Sequence, residues 1–107
     1  MTKKPQRPRR ARREEQRDLR RVVRRREGLA RALPGGARDA PIDLVSSAEV
    51  ENRARDTPCV QCGGALEIKG DRAESTPRGV LRAIDVVCRL CHAPRTLWLR
   101  VAPPSAN

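Results

Sequence analysis

Apolar positions recur at helical spacing in the first third of the chain and alternate in the last. Between Arg9 and Leu33, the residues Leu19, Val22, Val23, Leu29, Ala30 and Leu33 fall near one face of a 3.6-residue period, with Arg26 interrupting it. The stretch is built from Ala, Arg, Glu, Gln and Leu, and holds no proline and only Gly28, so it predicts a helix. Glu27 and Arg31 stand in the favourable i,i+4 order within it. Before it, "KKPQRPRR" (Lys3 to Arg10) has two prolines and no apolar side chain and predicts disorder. After it, "PGG" (Pro34 to Gly36) stops the helix, "PIDLV" (Pro41 to Val45) reads as a short extended piece, and Ser46 and Glu49 have capping-box spacing over a helical turn.

From residue 65 the period changes. "ALEIK" (Ala65 to Lys69) alternates, "VLRAIDVV" (Val80 to Val87) is rich in β-branched residues, and "TLWLRV" (Thr96 to Val101) alternates again. Between the first two, "GDRAESTPRG" (Gly70 to Gly79) is crowded with turn formers and predicts a loop. Pro94 separates the last strand from what precedes it, and Pro103-Pro104 ends it. The implied class is small α+β: an Arg-rich N-terminal helix and then three antiparallel strands.

Composition makes that core a poor one. The chain has 107 residues, one Trp, one Met, no Phe and no Tyr, and 35% of it is charged. So short a chain filled with Leu, Val, Ile and Ala needs a staple. The only candidates are the four cysteines, Cys59-x2-Cys62 and Cys88-x2-Cys91, with 25 residues between the pairs. His92 after the second pair spells the C-x-x-C-H of haem attachment, but Met1 and His92 are the only Met and His, so a second axial ligand is lacking. The positive start runs into more charge rather than an apolar stretch, and Glu14, Glu15 and Asp18 do not suit a mitochondrial presequence, so the expectation is cytoplasm, with reduced thiols and no membrane span.

Two C-x-x-C knuckles around a hairpin-sized insert can present four thiolates to one tetrahedral zinc. Gly63 and Gly64 suit the positive φ such a turn requires, and His92 at the matching place is one of the better-tolerated non-glycine residues there. The order knuckle, strand, loop, strand, knuckle, strand over residues 57–102 resembles the zinc-ribbon class. That resemblance implies Cys59, Cys62, Cys88 and Cys91 as ligands of one structural Zn2+, and many such domains serve transcription and translation. The domain reading is a basic, partly disordered and partly helical arm over 1–33, a linker with a short strand and a helical turn over 34–56, the ribbon over 57–102, and a disordered tail over 103–107.

Charge divides along the same line. Residues 1–33 carry 14 basic and 4 acidic side chains, and residues 34–107 carry 10 and 9. Four thiolates around a divalent ion remove two more charges from the second part. An Arg-dense arm displaces counterions from nucleic acid without base contacts, which singles out Arg9, Arg10, Arg12, Arg13, Arg17, Arg20, Arg21, Arg24 and Arg25 as candidate phosphate contacts on RNA or DNA. Trp98 and His92 are the only stacking candidates, and Trp98 reads as sheet packing. A second reading is a protein adapter, in which the stripe from Leu19 to Leu33 docks on a partner or pairs with itself. A third is a thiol redox switch. An enzyme is not expected: a four-thiolate site is closed, Ser46, Ser47 and Ser75 read as turn or cap residues, and no small-molecule substrate is implied.

Overall fold

The β-branched run that begins at Val80 forms the central strand of a sheet. A computed structural model describes residues 8–103 of the chain. Its elements are α1 (Pro8–Ala32), β1 (Ile42–Leu44), a 3-10 turn (Ser47–Glu49), α2 (Val50–Asp56), β2 (Leu66–Thr76), β3 (Gly79–Cys88) and β4 (Pro94–Val101). The sheet order is β1-β4-β3-β2, with β2, β3 and β4 antiparallel.

One face of the sheet holds the core. Ile84, Val86 and Cys88 of β3, Leu97, Leu99 and Val101 of β4, Leu66 of β2 and Leu44 of β1 meet Val50 and Ala54, which α2 presents at i,i+4. Lys69 is the extra residue of a bulge between Ile68 and Gly70, which lets β2 bend where it leaves this core. The opposite face carries Leu81, Ala83 and the half-buried Trp98, with Trp98 directly across from Ala83. Trp98 therefore packs on a sheet face, outside the main core.

The sheet corrects the three-stranded antiparallel expectation in two places. It has four strands and is mixed, because β1 runs parallel to β4 through Ile42↔Leu99, Asp43↔Arg100 and Leu44↔Val101. The edge of β4 would otherwise leave a row of backbone groups without partners. Ile42 and Leu44 turn toward the core, while the Asp43 carboxylate accepts from Arg100 Nε at 2.7 Å. The long return through α2 and the hairpin is the crossover a parallel pair requires.

The second correction concerns Gly70 to Gly79. This stretch is strand through Thr76, and only Pro77 and Arg78 form the turn. Its polarity belongs to an exposed edge strand, since β2 has only β3 beside it while β3 pairs with β4 along its other side. The diagonal pairs Arg82–Asp71 and Arg72–Asp85 hold that edge, the latter at 3.0 Å, and Arg38 reaches Glu74 at 2.6 Å. Pro94 opens β4 instead of preceding it, a position where its missing N–H is tolerated.

The helix begins at Pro8, so Pro8 to Arg10 are helical and correct the disorder expected there; a proline suits a first helical turn. Lys3 to Arg7 and residues 104–107 lie outside the described residues. Ser46 caps the turn with Oγ accepting from Ala48 N at 3.2 Å, whereas Glu49 N donates to the Ser46 carbonyl, so the cap forms without the capping box read from the sequence. The helix end is tied to the sheet by Gly35, whose carbonyl accepts from Trp98 N at 2.9 Å. No helix among the described residues is long and apolar enough to cross a membrane.

Leu99, fully buried between β1 and β3, and Leu19, 64% exposed on α1, separate core from arm. Leu99→Ala is expected to cost about 2–5 kcal/mol in denaturant unfolding. Leu19→Ala is expected to stay within about 0.5 kcal/mol.

Candidate metal centre

Each cysteine pair sits on a tight turn, and the two turns are built alike. In the first, Gly63 N donates to the Cys59 carbonyl at 2.7 Å and Cys59 N donates to the Gly64 carbonyl at 2.9 Å. In the second, His92 N donates to the Cys88 carbonyl at 3.0 Å and Cys88 N donates to the Ala93 carbonyl at 3.1 Å. The residue after each second cysteine is left-handed, Gly63 at φ 77° and His92 at φ 62°. His92 thus takes the place of a glycine, as the sequence predicts. Arg89 N donates to the Ala65 carbonyl at 2.9 Å and locks one turn beside the other.

The turns bring all four sulfurs within 4.8 Å of one another. Cys59 Sγ lies 3.6 Å from Cys91 Sγ, and Cys62 Sγ lies 3.4 Å from Cys88 Sγ. Zinc–sulfur bonds of about 2.3 Å in a tetrahedron place sulfurs about 3.8 Å apart, so the donor set fits a four-coordinate metal such as zinc. Backbone N–H groups point at the sulfurs, from Gln61 to Cys59, from Gly64 to Cys62, and from Leu90 to Cys88, each at 3.4 Å. Gly64 is also needed for room: a Cβ there would stand 2.9 Å from Cys88 Sγ and 3.2 Å from Cys62 Sγ. Cys59 and Cys88 are buried, Cys62 and Cys91 exposed, so each turn gives one sulfur to the core and one to the surface.

Without a metal, four thiols this close cannot all ionise. The Cys91 and Leu90 N–H groups stabilise the Cys88 thiolate and bring its pKa down to about 6. At Cys91 the Ala93 N–H acts in the same direction, but burial and the three neighbouring sulfurs prevail and push it up to about 12. A divalent ion supplies the charge that lets all four lose their protons.

The first turn also holds the helix, which the sequence did not disclose. Gln61, between the two cysteines, donates from Nε2 to the Val23 carbonyl at 3.1 Å and to Glu27 Oε1 at 2.8 Å. Its own carbonyl accepts from the Arg26 guanidinium. Arg95 of β4 closes the contact on Glu27 Oε1 at 2.5 Å. Glu27 therefore faces the sheet rather than pairing with Arg31 as its spacing suggests. Burial acts to raise Glu27, yet the Gln61 and Arg95 donors outweigh it and hold the carboxyl below its ordinary value. A glutamine at an x position of C-x-x-C carries no signal of such a role; only the fold brings it to Val23, 38 residues away in sequence.

The candidate phosphate contacts Arg9, Arg10, Arg12, Arg13, Arg17, Arg20, Arg21, Arg24 and Arg25 all lie on α1 with exposed side chains, remote from the sulfurs in sequence. By helical period, eight of the nine share one half of the helix surface, centred opposite the stripe from Leu19 to Leu33 with Arg9 and Arg20 at its margins, and Arg12 falls within the stripe. Arg31 joins the basic side without being among the nine. No protein family, curated protein or solved structure matches the chain.

Metal binding should release protons. Thiolates rather than thiols hold a metal, so protons compete with it at all four sulfurs. Affinity should therefore fall with acidity. Cobalt(II) titrations at several pH values, followed through the thiolate charge-transfer bands, check the sign.

Proposed function

We propose that the chain is a zinc-binding protein of the ribbon type whose four-thiolate centre anchors a cationic helix, and that this helix binds the sugar–phosphate backbone of RNA or DNA without reading sequence. The observation that carries the reading is the segregation of α1. Eight exposed arginines, from Arg9 to Arg25, share one half of the helix surface, centred opposite the apolar stripe, over a length of about 24 Å. Guanidinium groups on one face engage a polyanion by bidentate hydrogen bonds and counterion release, and such contacts fix position rather than sequence. The sheet half brings little competing charge, because Arg38, Arg72, Arg82 and Arg100 are each paired with a carboxylate.

An all-sulfur tetrahedral donor set selects soft or borderline ions and disfavours magnesium and calcium. Zinc suits it and closes the site to substrate, which supports a binding role rather than a catalytic one. Cys59, Cys62, Cys88 and Cys91 would hold the ion. Through Gln61, the first turn would then orient the arginine face with respect to the sheet.

Metal analysis of the purified chain should give one zinc per polypeptide. Chelation should unfold the sheet, since structural zinc sites contribute roughly 10–16 kcal/mol, as much as the whole stability of a small domain. A metal-free, reduced protein that keeps its native NMR spectrum would refute the structural role.

For the arm, fluorescence anisotropy with duplex and single-stranded probes should show steep salt dependence, about −0.9 per engaged phosphate on duplex DNA. Replacing Arg10, Arg17, Arg21 and Arg24 by Gln should lower that slope by up to about 3.6 on duplex and weaken every sequence about equally. An unchanged slope would remove α1 from the interface.

A further inference from the structure

The arginine face leaves the other side of α1 unexplained. Leu19, Val22 and Leu29 are 64%, 43% and 63% exposed, and α1 meets the sheet half only near Val23, Arg26, Glu27 and Ala30. Phosphate contacts have no use for an aliphatic stripe. Two carboxylates stand beside it. Glu14 pairs with Arg10 and Glu27 with Arg95, but Glu15 and Asp18 have no ion-pair partner among the described residues. These two, with Leu19 and Val22, line a shallow groove on the helix surface. Carboxylates at that place disfavour an anionic membrane and an acidic protein alike.

The spacing of the stripe identifies a better occupant. Written as a heptad, Arg12, Leu19, Arg26 and Leu33 take one seam position and Glu15, Val22 and Leu29 the other. A parallel pair of such helices would set Glu15 on Glu15, Arg12 on Arg12 and Arg26 on Arg26. An antiparallel pair with its two-fold axis between Arg20 and Arg21 does the opposite. Leu19 then meets the partner's Val22. Glu15 meets the partner's Arg26, whose guanidinium has N–H groups to spare beyond the one it donates to the Gln61 carbonyl of its own chain. Arg12 lays its aliphatic stem over the partner's Leu29. At the flank, Asp18 meets the partner's Arg25. Both unpaired carboxylates thus gain a cation, twice over by symmetry, and the remaining arginines point away from the axis.

We propose that α1 is a self-association surface, and that two copies of this chain pair through it as an antiparallel two-helix coil centred between Arg20 and Arg21. The proposal does not rest on the nucleic-acid reading, although Arg12 and Arg25 are candidates for both contacts. The short apolar seam and the surplus of arginines make the dimer a weak, concentration-dependent one.

Sedimentation equilibrium of the full metal-loaded chain at physiological salt tests it. The mass should rise from 12.0 kDa toward twice that value as the concentration increases. Asp18→Arg, which sets like charges together at the flank, should weaken association about tenfold or more. Arg25→Glu should do the same, and the double variant Asp18→Arg with Arg25→Glu should restore it. Neither residue touches the sheet half, so folding is not at issue. Leu19→Asp should abolish the dimer. A mass that stays at 12.0 kDa up to millimolar protein overturns the proposal and leaves the stripe to a different macromolecule. A dimer that ignores Leu19→Asp overturns it by placing the contact elsewhere, and a double variant no better than the singles overturns the antiparallel register.

Discussion

The convergence of four sulfurs at one end of the sheet is the constraint on which the rest leans. Cys59 and Cys88 are members of the apolar core itself, packed with Leu66, Ile84 and Val86. The largest fully buried side chains are only Ile84, Leu99, Val50, Val86 and Cys88, and burying so few aliphatic groups scarcely offsets the entropy of ordering the chain. A metal held between the two turns would tie the start of β2 to the connection between β3 and β4, beside the core residues Leu66 and Cys88. The helix depends on the same place at one remove, because Gln61 touches Cys59 Sγ with its N–H and α1 with its side chain.

Local chemistry was legible in the sequence and remote pairing was not. The two turns, the left-handed residue at Gly63 and its counterpart at His92, and the apolar periods of β3 and β4 all follow from residues within a few positions of one another. β1 could not be read in the same way. Three residues, Ile42 to Leu44, have too little pattern to reveal that they will lie parallel to a strand more than fifty positions later, and only the open edge of β4 calls them in. The outer part of β2 misled because turn formers and exposed strand residues overlap in type; Asp71, Arg72 and Glu74 pair across strands or to the loop before β1 rather than turn. Glu27 and Arg31 fit a local rule, but Arg95 and Gln61 offer a better-ordered partner.

The charges divide by pairing as well as by number. On the sheet, the Arg100 guanidinium beside Asp43, and Thr96 and Arg72 beside Asp85, hold both carboxyls below their usual range. Such exposed pairs add little stability, but they cancel the field of the sheet half. On α1 the arginines of the outer face have few such partners, Arg10 with Glu14 being one of them. The potential of the molecule is therefore concentrated along a single helical face, and a polyanion approaching from solution is steered there before any contact forms.

The grip of Gln61 on Val23 and Glu27 makes α1 a lever with its fulcrum at the first turn. From residue 25 to Arg9 the helix runs about 24 Å. A tilt of about 5° at the fulcrum would move the far guanidinium by about 2 Å, close to the tolerance of a hydrogen bond. A lever also works in reverse. A pull on the outer end reaches the fulcrum multiplied by the ratio of its arms, and the groups that feel it are the N–H of Gln61 and the sulfur of Cys59. Mechanical load on the arm would thus arrive, amplified, at one of the four clustered sulfurs.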